Sequence, residues 1–245
     1  MIELRTLGAV DVRSADGREV GSILAQPKRL ALLAYLAVAR PHGFHRRDTL
    51  LALFWPELST DASRAALRKA VHVVRRALGA EAVPGRGDEE LGLSDESVWC
   101  DVVAFERALD ERRWSDALEL YRGDLLDGFY ISGAPEFERW ADRERTRCRD
   151  RAAEAAWMLA EQAADGEQDV VAVRWARRAI EFTPIDEGAV RRLIALLYRM
   201  GDRAAALHEY DAFAARLLQE HGVRPSAETR GLVDVVKASG QIRPA

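Results

Sequence analysis

The chain has 245 residues, 48% of them hydrophobic and 31% charged, with a formal net charge of −4. That composition suits a soluble protein of one or two domains with real cores. No apolar run approaches a membrane span, and no basic-then-apolar leader opens the chain, so the expected compartment is the cytoplasm with no membrane partner.

Charge is distributed unevenly. Pro27 to Gly79 carries ten Lys and Arg against three acids, a net +7, whereas the residues from Asp101 onward sum to −5. A basic segment inside an acidic protein predicts a local anionic partner rather than a generally adhesive surface. Cys100 and Cys148 stand far apart with no Cys-x-x-Cys spacing, which predicts two buried thiols.

In chain order, residues 2–24 read as short strands of a small antiparallel sheet. Ile2 and Leu4, Val10 and Val12, then Val20 and Ile23 alternate, and Asp16-Gly17 reads as a two-residue hairpin turn. Pro27 opens a helix lined by Leu30, Leu33, Ala34 and Ala37, which stops before Pro41. A second, shorter helix spans about Arg47 to Phe54 and ends at Pro56.

The third helix organises the first half. Thr60 or Asp61 can cap it, and Gly79 can end it in a left-handed conformation. Leu67, Val71, Val74 and Leu78 share one face at about 100° per residue. Arg68, Lys69, His72 and Arg76 project away from that face, with Arg64 and Arg75 at its edge. Such a helix can be held from behind while offering donors to phosphates and base edges in front. Beyond Gly79, residues 80–100 sum to −5 with Arg86 as the only cation, and Glu90–Leu93 with Val98-Trp99 reads as a hairpin.

Strands, three helices and a hairpin follow the order of a winged helix-turn-helix. The runs Leu30–Ala37, Arg47–Pro56 and Ala66–Gly79 resemble the DNA-binding half of SARP-type antibiotic regulatory proteins, which carry an OmpR-type winged helix. From about Asp101 the chain reads as helical. Trp114, Ala117, Leu118 and Tyr121 fit one helix face, Gly123–Gly128 breaks it, and a long helix runs from about Pro135 to Ala164. Ala172, Ala176 and Ala179 recur thirty-four residues later as Ala206, Tyr210 and Phe213, the period of a tetratricopeptide unit. With Gly123-Asp124-Leu125-Leu126 before these units and Gly222-Val223-Arg224-Pro225-Ser226 after them, this half resembles the bacterial transcriptional activator domain.

The expected fold is therefore mainly α: residues 1–99 form the winged helix-turn-helix with its small antiparallel β-sheet, and residues 100–245 form an all-α tetratricopeptide-like repeat domain. For function, the resemblance implies a sequence-specific transcription activator that binds double-stranded DNA as adjacent copies on direct repeats and recruits RNA polymerase. On the residues themselves, Arg64 and Arg68 are expected nearest the bases, Lys69, Arg75 and Arg76 at phosphates, and His72 within reach. Arg46 and Arg47 are phosphate anchors ahead of the second helix. Another reading of Arg75 is an ion pair that holds the wing.

The acidic loop leaves the wing doubtful as a DNA contact. It supports a second reading, a protein-interaction scaffold whose winged helix binds no DNA. Phosphate-loop, Gly-x-Ser-x-Gly, His-Glu-x-x-His and dinucleotide fingerprints are missing from the sequence, so no enzyme activity, cofactor or metal is expected. The aromatics Trp114, Tyr121, Trp140, Trp157 and Trp175 read as helix-packing core, with Phe129 and Tyr130 as exceptions in a loop. Nothing about residues 239–245 marks a natural end, and the chain reads equally as the front of a longer protein.

Overall fold

A computed structural model describes residues 1–239; the tail residues 240–245 lie outside the described residues. The chain divides into two compact units, Met1–Cys148 and Arg149–Ala245.

The first unit begins with β1 (Ile2–Arg5), which pairs antiparallel with β2 (Asp11–Arg13). The connection beyond β2 closes through Ser14 N donating to the Arg18 carbonyl at 2.9 Å, with Gly17 at φ 80°. The turn at Asp16-Gly17 is thus present but longer than two residues. Val20 and Ile23 do not continue a strand. Gly21–Leu24 forms a single helical turn, α1, because Ala25 N bonds back to the Gly21 carbonyl, and this buries Ile23 completely.

Three helices follow: α2 (Pro27–Val38), α3 (Arg47–Phe54) and α4 (Thr60–Leu78), with β3 (Phe44–Arg46) between the first two. Pro27 occupies the first turn of α2, where its missing N–H costs nothing. Beyond α4, β4 (Gly85–Arg86) and β5 (Glu90–Gly92) form the wing hairpin, and β3 joins β5 antiparallel. The strand β6 (Val98–Cys100) does not pair with β5 as the sequence suggests. It lies parallel to β1, so the N-terminal sheet has the order β2-β1-β6 and is mixed rather than wholly antiparallel.

The helices α5 (Asp101–Asp110), α6 (Trp114–Leu120) and the start of α7 (Pro135–Asp165) complete this unit. The compact unit therefore extends past the 99/100 boundary read from the sequence. Aromatic packing ties these parts together: Tyr35 meets Trp140 at 4.9 Å between ring centroids, and Phe54 meets Phe137 at 5.4 Å. Phe129 also packs on Phe137, leaving Tyr130, 69% exposed, as the free member of that loop pair.

Two buried carboxylates fasten α5. Asp101, at its first turn, accepts from Thr6 N, Thr6 Oγ1, Leu7 N and Val102 N at 2.9–3.0 Å. Burial pushes its carboxyl above the ordinary value, and these donors pull it back. Glu106 gathers Arg40 at 2.6 Å, His42 at 3.3 Å and Arg147. The Gly-x-Leu-Leu run has a steric explanation. A Cβ on Gly123 would sit 3.0 Å from Gly8 Cα, while Leu125 and Leu126 are fully buried. Arg145 then caps the carbonyls of Leu125, Leu126 and Phe129 at 2.9–3.2 Å.

The second unit contains the end of α7 and then α8 (Asp169–Phe182), α9 (Glu187–Arg199), α10 (Arg203–His221) and α11 (Ala227–Ala238). Ala172, Ala176, Ala179 and Ala206 are completely buried, which is what close helix approach at each repeat requires. Asp186, Asp202 and Ser226 cap α9, α10 and α11 with their side chains. Gly222 ends α10 at φ 68°, so the Gly-Val-x-Pro-Ser run is one helix stop followed by the next helix start.

Replacing Asp101 with Asn turns an acceptor-only carboxylate into an amide that must face N–H donors. A loss of about 2–3 kcal/mol is expected, seen as a lower urea midpoint; an unchanged midpoint contradicts this role. His45 supplies a pH dependence. It is buried against Tyr35 at 5.2 Å, and burial first, then His42, lowers its pKa from 6.5. The unfolded chain takes a proton below pH 6.5 that the folded chain resists. Stability is therefore expected to fall as pH drops below 6.5, and His45→Gln to flatten that slope in thermal melts.

Candidate nucleic-acid interface

Ser59 caps α4: its Oγ accepts from Ala62 N at 3.4 Å, one residue before Thr60 and two before Asp61, the caps suggested by sequence. Its end is Gly79 at φ 100° and ψ 150°, a positive-φ stop outside the left-handed helical well. Ser63, Leu67, Ala70, Val71 and Val74 are buried, whereas Leu78 is only half-buried. Arg64, Arg68, Lys69, His72 and Arg76 are all exposed on the remaining faces. The rigid rear and cationic front expected of this helix are both present in the geometry.

Two clefts flank α4. The first, of about 380 Å³, brings together Arg46, Arg47, Arg64 and Arg68. Arg46 and Arg47 reach it because β3 ends and α3 begins there. Burial of the Arg47 side chain lowers its pKa, the charges of Arg75 and Arg68 lower it further, and Asp88 opposes them. Its Nε is buried without a hydrogen-bond partner. The second cleft, of about 550 Å³, lies on the other flank and joins Lys69 to Lys28, Arg29, Trp55 and Tyr130. Sequence reading missed Lys28 and Arg29, because they sit on a different helix and only the fold brings them beside Lys69.

Arg75 behaves differently from the rest. It is half-buried, and its Nε donates to the Val83 carbonyl at 2.9 Å, just ahead of the wing. Arg75 thus holds the approach to the wing through a carbonyl and not through the ion pair suggested by sequence.

The wing is committed to its own structure. The Arg86 guanidinium lies 4.2 Å from the Phe44 ring centroid and 3.5 Å from Glu90. At the wing tip, Asp88 and Glu89 line the first cleft together with Asp48. Arg46 Nη2 is 3.6 Å from Glu89 Oε2, and Arg47 N donates to the Glu89 carbonyl at 2.8 Å. The sequence shows these acids; their position over the arginines comes only from the pairing of β3 with β5.

Cys100 and Cys148 are buried, and burial raises both thiols to about 12. Among the described residues no group of three or more His, Cys, Asp or Glu is placed to hold a metal, and no helix is long and apolar enough to cross a membrane.

A search of curated proteins found no match. Among solved structures, the chain is similar to Mycobacterium tuberculosis EmbR, determined in complex with a low-affinity phosphopeptide, with a TM-score of 0.65 and 21% identity. The match covers 99% of this chain but 66% of the EmbR chain, just under two thirds of its length, and it establishes a shared fold. A family model, the bacterial transcriptional activator domain, matches residues 101–237. The chain belongs to the bacterial transcriptional activator domain family, the second half of the SARP-type architecture that its sequence resembles.

Proposed function

We propose that this transcriptional regulator binds duplex DNA through α4 in the major groove. The observation that carries the reading is the arrangement of that helix: a buried Leu67, Ala70, Val71 and Val74 face behind, and exposed Arg64, Arg68, Lys69, His72 and Arg76 in front. Arginine side chains of this kind can pair with guanine O6 and N7, each good bidentate pair giving about 1–3 kcal/mol of discrimination.

In this proposal Arg64 and Arg68 read bases. Lys69 and Arg76 take phosphates, and Arg46 and Arg47 anchor the backbone from the start of α3. Arg75 keeps the wing in place. The functional division is at 99/100, with residues 100–245 serving self-association on direct repeats and contact with RNA polymerase, in the cytoplasm and without catalysis. The family supports the activator role.

A second reading has one observation in its favour. The wing presents Asp88 and Glu89 at its tip and spends Arg86 on Phe44, as a winged helix that contacts protein instead of DNA could do. DNA-independent capture of a protein partner, with no duplex affinity, would favour it.

The discriminating experiment is fluorescence anisotropy on specific and random duplexes. Arg64→Ala and Arg68→Ala are each expected to weaken specific binding about tenfold or more while changing random-duplex binding less. Equal losses on both duplexes would move these residues from base reading to phosphate contact. A wild-type protein with no salt-sensitive duplex affinity contradicts the proposal.

A further inference from the structure

The cleft beside α4 is cationic in sum, yet its acids stand over its cations. Glu89 Oε2 lies 3.6 Å from Arg46 Nη2, and Asp88 works against the lowered pKa of Arg47. The tip that carries both acids is not a free arm. Arg47 N donates to the Glu89 carbonyl at 2.8 Å, and the strands on either side of the tip pair as Arg86 with Glu90. The backbone therefore places both acidic residues beside the arginine cluster. Arg86 does not offset them, because its guanidinium is stacked on Phe44 and faces Glu90.

A phosphate that enters this cleft meets the carboxylates of Asp88 and Glu89, and of Asp48 at the start of α3, together with the arginines. The Arg46 and Glu89 side chains are largely exposed, so this repulsion acts at short range and weakens as salt rises. Each arginine already balanced by a carboxylate also releases less condensed counterion when it meets DNA.

We propose that Asp88 and Glu89 form an electrostatic counterweight that lowers the phosphate affinity of the Arg46, Arg47, Arg64 and Arg68 cleft. Binding then depends more on base contacts from α4, and sequence-independent binding is held down. The inference rests on the DNA reading above and deepens it: it names the residues that set how much of the affinity is non-specific.

The test is a salt series of anisotropy titrations on a random-sequence duplex. It compares the wild type with the isosteric double variant Asp88→Asn/Glu89→Gln. Asp95→Asn/Glu96→Gln serves as the control: it changes net charge equally but lies outside the cleft lining. Recovering one phosphate contact corresponds to a log–log slope steeper by about 0.9 and affinity about eightfold higher at 0.1 M salt. That change is expected for the double variant and not for the control.

Unchanged or weaker binding by the double variant, in a wild type that does bind, overturns the counterweight and leaves the DNA reading intact. Equal tightening by the control overturns it as well, since overall charge would then explain the effect. If neither the wild type nor the double variant binds any duplex, the DNA reading falls and this inference falls with it.

Discussion

The Asp101 carboxylate is the constraint on which the first unit depends. It sits where β1, β6 and α5 meet, and it satisfies the backbone of Thr6 and Leu7 just as β1 ends. An isolated buried carboxylate would cost several kcal/mol. Four donors, together with the favourable position of an anion at the first turn of α5, offset that cost. The same carboxylate therefore closes the mixed sheet and orients the helix that opens the family-matched segment. Five residues on, Glu106 repeats the device by drawing in Arg40 and His42 from the loop after α2. The winged helix and the first activator-domain helices thus share one core, with Phe54, Phe137, Tyr35 and Trp140 as its aromatic content.

That shared core holds α4 from behind and leaves its cations at the surface. What surrounds the cations then shapes their chemistry. On one flank the arginines face an acidic wing tip; on the other, Lys69 stands beside Lys28, Arg29 and Tyr130. An acidic wing reverses the simplest electrostatic expectation for this fold, in which every protruding element adds attraction for DNA. Here the cations lining the two clefts lie on α4, at the start of α3 and at the start of α2, and not at the wing tip.

The sequence made the helices legible because their apolar periodicity and stop residues are local. Pro27, Gly79, Gly201 and Gly222 mark boundaries that the structure respects. The buried alanines of the repeat were visible as a thirty-four-residue period for the same reason. Strand pairing was not legible. Three-residue strands carry too little pattern to choose partners, so β6 looked like the mate of β5 but pairs with β1. The cationic face of α4 could be read by helical projection. The wing-holding bond of Arg75, the acids over Arg46 and Arg47, and the company of Lys69 all join segments far apart in sequence, and only the fold brings them together.

The central claim is that α4 reads duplex DNA. Selection of bound sequences from a random duplex pool tests it most directly. Enrichment of a defined motif in repeated copies is expected for the wild type, with loss of that motif when Arg64 and Arg68 are both replaced by Ala. Recovery of a pool no different from the starting one, by a folded wild-type protein at low salt, would contradict it.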